Sequence, residues 1–142
     1  MTFFYLGRGL ASDNLFFLDL RNGESPTQYT IIPVVGKTPG RRYGHSLVYC
    51  KPYLLVFGGN LGKELVNDAW CLNVERSPFV WIKLEFQGPQ PAPRVYHSAS
   101  LCLAGLAKGM IVVFGGRTAD SLALNDTWGL RRHKDSRWDW VN

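Results

Sequence analysis

Two histidines in a repeated motif are the first residues of this chain with the chemistry for catalysis or metal binding. His45 and His97 each stand three residues after an arginine, Arg42 or Arg94, and directly before a serine. Imidazole can act as a general base or a metal ligand, but neither histidine has an acid or a thiol at metal-ligand spacing. No nucleophile with its base and orienting acid can be assembled from neighbouring motifs either. We therefore expect both histidines to hydrogen-bond a backbone group and fix a turn, and we expect no catalytic, metal-binding or cofactor-binding residue in the chain.

Two glycine pairs, Gly58-Gly59 and Gly115-Gly116, are the second candidate, because glycine-rich loops can cradle a phosphate group. A phosphate loop is also followed by a helix and carries a lysine or serine that holds the anion, and neither pair offers these. Each pair ends an apolar run typical of a strand, where glycine suits a tight bend with positive φ and a close approach of backbones. We interpret all four glycines as structural.

The densest positive charge lies in residues 131–137, which include Arg131 and Arg132. The whole chain has 16 Lys and Arg against 11 Asp and Glu, a formal net charge of +5, which favours acidic partners through long-range attraction. The run falls in a turn between two predicted strands, so it is either a solvated turn or a surface that docks an acidic protein. Nucleic acid is the weakest alternative, because no array of exposed aromatic side chains can be placed beside the run.

Cysteine usage and the start of the chain indicate the compartment. Cys50, Cys71 and Cys102 are odd in number, lie in apolar runs and lack the close pairing of zinc ligands or of a secreted disulfide framework. The first six residues are apolar, but no basic segment precedes them, and Gly7 and Arg8 end the run far short of a signal or membrane segment. We therefore expect a soluble intracellular protein, in the cytoplasm or the nucleus, with no membrane partner.

The elements that position these residues recur along the chain. Residues 54–59 return as residues 111–116, an apolar run that ends in two glycines, and Asn-Asp-x-Trp follows each copy, at residues 67–70 and 125–128. The glycine pairs are 57 residues apart and the arginine motifs 52. A repeat of about fifty residues, with strands bounded by turn residues and no helical periodicity, is typical of β-propeller blades. The sequence therefore predicts an all-β chain.

The repeats divide the chain into three blades, of which the first lacks its opening strand. Residues 1–35 form this incomplete blade, residues 36–87 a complete blade, and residues 88–142 a third blade with a shortened last strand. The prediction is a partial propeller of about two and three-quarter four-stranded antiparallel blades. The predicted strands are 3–6, 15–20 and 29–34 in the first blade, 45–50, 53–58, 69–74 and 80–86 in the second, and 97–103, 110–115, 127–130 and 138 onward in the third.

Three large aromatic residues, Tyr29, Trp81 and Trp140, occupy equivalent places in the last strands of the blades. We expect them to fill the space between adjacent sheets, since side chains of this size contribute most of the burial there. Propellers close with typically about four to eight blades, so fewer than three leave unpaired edges and bare faces that promote association. The isolated chain is therefore expected to self-associate, with two copies approximating a six-bladed ring.

Several of these motifs together resemble the kelch repeat, a β-propeller module: Arg42-Tyr43-Gly44-His45-Ser46, Phe57-Gly58-Gly59, Asn67-Asp68 and Trp81. The basic turn that ends in Arg137-Trp138-Asp139-Trp140 is similar to the amino-terminal kelch region of Ser/Thr protein phosphatases with kelch-like domains, the type of plant brassinosteroid signalling and of apicomplexan parasites. The resemblance implies a non-catalytic region that binds the substrates or partners of a phosphatase. A generic kelch adaptor, for example of the ubiquitin-ligase type, and a small kelch enzyme are the alternatives.

The resemblance also implies a parent enzyme with a dinuclear metal centre. Its Gly-Asp-x-His, Gly-Asp-x-x-Asp and Gly-Asn-His-Glu signatures are absent here, and Gly59-Asn60 is followed by Leu61, so the centre is expected elsewhere in the parent. In some kelch adaptors the motif arginine lines the central channel and meets acidic peptide side chains, which is the role implied for Arg42 and Arg94. The alternative is that each guanidinium bonds turn carbonyls. The expected partners are proteins with acidic or phosphorylated segments.

Overall fold

The computed structural model describes residues 2–5, 13–19 and 29–142, and all the regular structure within them is β-strand. Eleven strands of these residues form three antiparallel sheets, and each sheet is built from strands that follow one another in the chain. Every strand is short, with three to six residues. This arrangement confirms the prediction of an all-β chain made of propeller blades.

The first blade has three strands, β1 (Thr2–Tyr5), β2 (Leu15–Leu18) and β3 (Tyr29–Ile32). β2 lies in the middle and pairs antiparallel with both neighbours. Within the described residues no further strand pairs with β1, so this sheet has one strand fewer than the other two.

The second blade has four strands in sequential order, β4 (Ser46–Cys50), β5 (Tyr53–Phe57), β6 (Ala69–Asn73) and β7 (Trp81–Lys83). β7 covers only part of the predicted strand 80–86. Its pairing with β6 involves only three residue pairs, from Trp70↔Lys83 to Leu72↔Trp81.

The third blade repeats this order with β8 (Ser98–Leu101), β9 (Ile111–Phe114), β10 (Thr127–Arg132) and β11 (Trp138–Val141). β10 extends to Arg132, beyond the predicted end of that strand at residue 130. β11 has four residues and β7 has three. β10 offers β11 four partners, from Gly129 to Arg132.

The core lies between the blades, because each strand sends alternate side chains to its two faces. In β5, Leu54 and Val56 pack toward the first blade, while Leu55 and Phe57 pack toward the third. Two apolar clusters result. The first joins blades 1 and 2 through Leu15, Leu54, Val56, Trp70, Leu72 and Trp81. The second joins blades 2 and 3 through Leu55, Phe57, Ala69, Cys71, Leu84, Ile111, Val113, Trp128, Leu130, Trp138 and Trp140.

Large aromatic residues fill much of these two clusters. Trp81 lies in the first and Trp140 in the second, where its ring is 4.9 Å from that of Phe57 between centroids. Tyr29, expected to be buried in the same way, is instead 59% exposed. Its equivalents face the preceding blade, and the described residues contain no blade before the first. The Tyr29 ring meets the ring of Phe16 in its own sheet edge-on, with centroids 6.3 Å apart.

Candidate functional site

Arg42 lies just before β4 and is almost completely buried, at 1% exposure. Its Nη1 donates to the Gly58 carbonyl oxygen at 2.8 Å and to Asp68 Oδ1 at 2.7 Å. Nε donates to the Pro39 carbonyl oxygen at 3.1 Å, and Nη2 donates to the same carbonyl and to Asp68 Oδ2. These bonds use all five donors of the guanidinium, so the arginine braces the start of β4 to the loop before β6.

Arg94 forms the same brace in the third blade and is 0% exposed. It donates to Asp126 Oδ1 and Oδ2, both at 2.7 Å, to the Gly115 carbonyl oxygen at 3.0 Å and to the Ala92 carbonyl oxygen at 3.1 Å. Neither Arg94 nor Arg42 offers its guanidinium to a partner. The expectation that these two arginines bind an acidic partner is therefore wrong, because oxygen atoms within the chain already accept their hydrogen bonds. The alternative, that each guanidinium bonds turn carbonyls, is correct in part, since each also bonds an aspartate.

The braces also fix the charge of their aspartates. For Asp68, burial raises the pKa, but the hydrogen bond and the charge of Arg42 outweigh it and the net pKa is lowered. For Asp126, the hydrogen bond from Arg94 is the main cause, and it lowers the pKa to about 2. Both carboxylates are thus ionised at neutral pH, as a buried guanidinium requires. Asp68 and Asp126 belong to the Asn-Asp-x-Trp motifs, so the two repeated motifs of each blade meet at one ion pair.

The glycine pairs lie where backbones of different segments approach most closely. Gly58 and Gly59 have φ of 66° and 99°, a region that favours glycine. A Cβ on Gly59 would lie 2.8 Å from the Cβ of His45, and one on Gly116 would lie 2.7 Å from the Val95 carbonyl oxygen. The Gly59 N–H donates to the Arg94 carbonyl oxygen at 2.9 Å, so this pair also joins two blades.

His97 links the third blade to the second. Its Nε2 lies 3.0 Å from the Ser46 Oγ, and its ring meets the ring of Phe57 edge-on with centroids 5.0 Å apart. Burial, followed by the nearby charge of Arg94, lowers the pKa of His97 to about 4, so the imidazole is neutral at physiological pH. The bond to Ser46 joins the two blades, so His97 acts as a latch between them. His45 is half-buried beside Gly59.

The basic turn between β10 and β11 is partly neutralised by its own blade. Arg131 donates through Nε to Asp139 Oδ1 at 2.7 Å and through Nη2 to Oδ2 at 3.2 Å, and the two residues are cross-strand neighbours. Arg132 is exposed. Its Cζ lies 5.1 Å from the centroid of the Tyr53 ring, and its Nη2 donates to Ser136 Oγ at 2.9 Å. Arg132 makes no ion pair with any described residue. Of the two arginines, Arg132 is therefore the one free to meet an acidic group.

A second exposed set of residues lies at the opposite end of the sheets, where β4 and β8 begin. Tyr96 is 59% exposed, its ring centroid is 6.4 Å from that of Tyr43, and the Arg117 Cζ lies 5.3 Å from it. The Tyr43 hydroxyl accepts a hydrogen bond from Asn60 Nδ2 at 2.7 Å. We call Tyr43, Tyr96 and Arg117 the tyrosine–arginine strip. Sequence reasoning missed it, although the signal was available: Tyr96 stands where the preceding repeat has a glycine.

The described residues contain no group of three or more His, Cys, Asp or Glu side chains placed to hold a metal ion. The same residues include no helix long and apolar enough to cross a membrane. What the exposed sites offer instead is hydrogen-bond donors and aromatic rings.

The comparison with protein families decides which family these blades come from. The KLHDC2/KLHL20/DRC7 Kelch-repeats domain matches residues 5–142. The chain belongs to the kelch-repeat family. The kelch repeats therefore account for nearly the whole chain, and they are a non-catalytic domain of the protein-interaction type.

Curated kelch proteins of several kinds are similar to the chain. It is 38% identical over 134 residues to the serine/threonine-protein phosphatase BSL2 of Arabidopsis thaliana, which covers 94% of this chain and 13% of the phosphatase. An F-box/kelch-repeat protein of the same plant is 37% identical over 103 residues, covering 69% of this chain and 21% of that protein. A leucine-zipper-like transcriptional regulator 1 homologue of Drosophila melanogaster is 35% identical over 91 residues, covering 63% of this chain and 9% of that protein. The kelch chain thus spans about a fifth or less of each of these relatives.

A solved structure supports the fold. The structure of YjhT superposes with a TM-score of 0.63 at 18% sequence identity, and the match covers 94% of this chain and 39% of that one. At this identity the likeness concerns the fold of the kelch blades alone.

Proposed function

We propose that this kelch region is the partner-binding part of a Ser/Thr protein phosphatase. The observation that carries the proposal is the 38% identity to the phosphatase BSL2 over 134 residues, which extends through all three blades. The dinuclear metal centre of such an enzyme would lie outside these residues. The kelch region would bring the phosphorylated protein to it.

The charges of the exposed surface support partners with acidic or phosphorylated segments. The formal net charge is +5, which raises the local concentration of anionic partners. Arg132 and Arg117 are both exposed or half-exposed and form no ion pair with a described residue. Arg131 contributes less, because Asp139 already occupies its guanidinium.

The cysteines are consistent with a protein of the cytoplasm or the nucleus, which is part of the proposal. Cys50, Cys71 and Cys102 are free thiols. Burial raises the pKa of Cys71 to about 11, so this thiol is unreactive at neutral pH. Imaging of the tagged full-length protein checks the compartment, and secretion into the medium would contradict it.

A generic kelch adaptor is the second candidate, favoured by the similarity to an F-box/kelch-repeat protein over 103 residues. The two functions differ in what the rest of the polypeptide does. A phosphatase releases phosphate from a phosphoprotein, whereas an adaptor only brings a bound protein to another enzyme.

Kinetics of the full-length protein test the proposal. Two substrates are compared, a phosphorylated protein partner and a small phosphate ester, before and after deletion of residues 1–142. We expect the deletion to lower kcat/KM for the phosphoprotein by about tenfold or more through KM, because uniform binding is lost. The small ester should be hydrolysed unchanged, which also shows that the catalytic domain remains folded. Absence of phosphatase activity in the full-length protein would overturn the proposal and leave the adaptor.

A further inference from the structure

The connection between β8 and β9 is longer than its equivalent in the second blade. There, β4 and β5 are joined by two residues, Lys51 and Pro52. The equivalent connection of the third blade is residues 103–109, which is five residues longer. We call it the leucine loop, after Leu103 and Leu106. The additional residues project beyond the end of the sheet, because both ends of the loop continue paired strands.

The leucine loop is ordered by its own backbone. The Cys102 N–H donates to the Met110 carbonyl oxygen at 2.8 Å, and the Gly109 N–H donates to the Cys102 carbonyl oxygen at 2.9 Å. Within the loop, the Lys108 N–H donates to the Gly105 carbonyl oxygen at 3.2 Å. Gly105 and Gly109 have φ of 72° and 86°, a region that favours glycine. The loop therefore has a defined shape before binding, which reduces the conformational entropy lost on binding.

The two leucines of the loop contribute nothing to the core. Leu103 is 76% exposed and Leu106 is fully exposed, at 105%. They are the two most exposed large apolar side chains of the described residues. Burial within the fold therefore does not account for them. Exposed apolar groups rimmed by polar residues mark contact sites for a protein or a membrane.

Cations without an ionic partner lie beside the leucines. The basic turn is at the same end of the third sheet as the leucine loop, on the neighbouring pair of strands, and adjacent strands are about 5 Å apart. Lys108 in the loop forms no ion pair with a described residue, and the same is true of Arg132 and Lys134 in the basic turn.

The whole end of the sheets that carries the leucine loop is more positive than the opposite end. In the second and third blades it has seven Lys and Arg against three Asp and Glu, whereas the opposite end has seven against five. The ranges compared are 51–52, 74–80, 102–110 and 131–139 at this end, and 36–45, 58–68, 83–97 and 115–126 at the opposite end. At the opposite end, two of the seven are the buried Arg42 and Arg94, each paired with an aspartate. Long-range attraction of an anionic surface is therefore strongest at the leucine loop.

A convex, apolar loop among cations has the chemistry of a peripheral membrane contact. Such contacts combine burial of apolar side chains at the boundary of head groups and acyl chains with attraction to anionic lipids. A fluid bilayer accepts a projecting loop without a preformed groove, whereas a protein partner would have to supply a groove of matching shape. The shape of the loop thus favours a bilayer.

We propose that the leucine loop and the basic turn bind the surface of a bilayer that contains anionic phospholipids. Leu103 and Leu106 enter the interface, while Lys108, Arg132 and Lys134 remain among the head groups. The cytoplasmic leaflet carries such lipids. The expectation of no membrane partner came from the start of the chain, which offers no signal or spanning segment, and a peripheral contact requires neither. The inference goes beyond the proposed function, because it concerns where the protein is held and not what it binds or dephosphorylates.

Co-sedimentation of the chain with vesicles tests the proposal. One set of vesicles is phosphatidylcholine alone, and the other contains about one-third phosphatidylserine, both in about 0.1 M salt. A sample without lipid corrects for self-associated protein. We expect binding to the anionic vesicles to exceed binding to the neutral vesicles by about tenfold or more, since each cation near an anionic surface contributes about fivefold.

Two double variants separate the apolar and ionic parts of the contact. Leu103→Ser with Leu106→Ser should weaken binding to the anionic vesicles by about tenfold, because apolar area no longer leaves water. Arg132→Gln with Lys134→Gln should weaken it by about twentyfold and abolish the preference for anionic vesicles. All four positions are exposed, so we expect an unchanged unfolding midpoint for both variants.

The opposite end of the third blade supplies matched controls. Leu122 is also an exposed leucine, at 63%, and Arg117 also forms no ion pair with a described residue. Leu122→Ser and Arg117→Gln should bind the anionic vesicles as the unmodified chain does.

Three outcomes would overturn the proposal. They are absence of binding to the anionic vesicles, equal binding to both kinds of vesicle, and a loss in Leu122→Ser as large as that in the leucine-loop variant. The first of these would leave a protein partner as the explanation of the exposed leucines. Phosphatase kinetics in solution contain no lipid, so the proposed function stands or fails separately.

Discussion

Two equivalent phenylalanines lie on opposite sides of the third blade in entirely different surroundings. Phe57 ends β5 and faces the third blade, where it is 3% exposed and contacts the rings of His97 and Trp140. Phe114 ends β9 in the same way but faces outward, and it is 50% exposed. Nothing in the sequence of the two strands predicts this difference. The neighbouring blade decides whether the position is part of a core.

The same contrast holds along both faces. Ser46 bonds His97 in the interface between blades 2 and 3, whereas its equivalent Ser98 is exposed and reaches only the Phe114 carbonyl oxygen, at 3.5 Å. Buried Ala69 corresponds to exposed Thr127. The open face of the third blade is thus more polar than the interface between blades 2 and 3. It nevertheless keeps Phe114 and Ser98, the equivalents of the phenylalanine and the serine that contact His97 in that interface.

The largest expected effect on stability is at Phe57, the buried member of the pair. Phe57→Ala should lower the free energy of unfolding by about 3–5 kcal/mol, because a buried aromatic ring is lost and a cavity remains. Phe114→Ala, the matched control, should change it by about 0.5 kcal/mol or less, as exposed substitutions do. Denaturant unfolding followed by tryptophan fluorescence measures both. Equal losses would show that the face of Phe114 is covered in solution.

The His97 latch makes the interface sensitive to acid. Unfolded histidine takes up a proton near pH 6.5 and folded His97 only near its lowered pKa of about 4. The unfolded state therefore binds more protons between these values, so stability falls as pH decreases from about 6.5 to 4, by up to roughly 3 kcal/mol. Unfolding curves across this range should show the loss, and His97→Gln should remove most of it. His133→Gln, in the basic turn, should retain it; a pH-independent stability would contradict the latch.

The open face should also set the tendency of the chain to self-associate. Exposed Phe114 is the large apolar side chain of that face, and replacing it removes apolar area available to a second copy. We expect light scattering to show association of the isolated chain, and Phe114→Ser to weaken the association about tenfold, equivalent to about 1.4 kcal/mol. A well-behaved monomer at high concentration would contradict this expectation.

The smallest effect isolates the hydroxyl of the latch. Ser46→Ala removes the hydrogen bond at 3.0 Å to His97 and should cost about 1 kcal/mol. Ser98→Ala, at the equivalent exposed position, should not measurably change the free energy of unfolding. Thermal unfolding of both variants measures the difference. A cost at Ser98 equal to that at Ser46 would mean that another group bonds Ser98 in solution.

The sequence predicts the strands well because their signal is local. Apolar runs bounded by glycine and proline locate β5 and β9, and the period of the motifs shows that these strands belong to equivalent blades. Strand ends are less predictable, since β7 and β10 depend on how many partners the adjacent strand offers.

The candidate site depended on contacts between segments far apart in the chain, and there the sequence was a poorer guide. For Arg42 the kelch resemblance implied contact with an acidic partner and the alternative was a bond to turn carbonyls, but the structure pairs it with Asp68, 26 residues later. A repeated arginine together with a repeated aspartate was the available signal. For Tyr96 the alignment with Gly44 was the signal, but the positive φ that makes it informative is a property of the backbone alone.

The arginine braces also bear on how such a chain can lengthen. Among the described residues, the guanidinium of Arg42 bonds only residues between Pro39 and Asp68, and the guanidinium of Arg94 bonds only residues between Ala92 and Asp126, so each brace is complete within one repeat. A duplicated stretch of gene that encodes one repeat therefore carries its own ion pair to its new position. The latch, by contrast, needs a serine on the preceding repeat. Duplication can thus add a blade that holds its own shape at once, leaving only its contacts with its neighbours to be refined by later mutation.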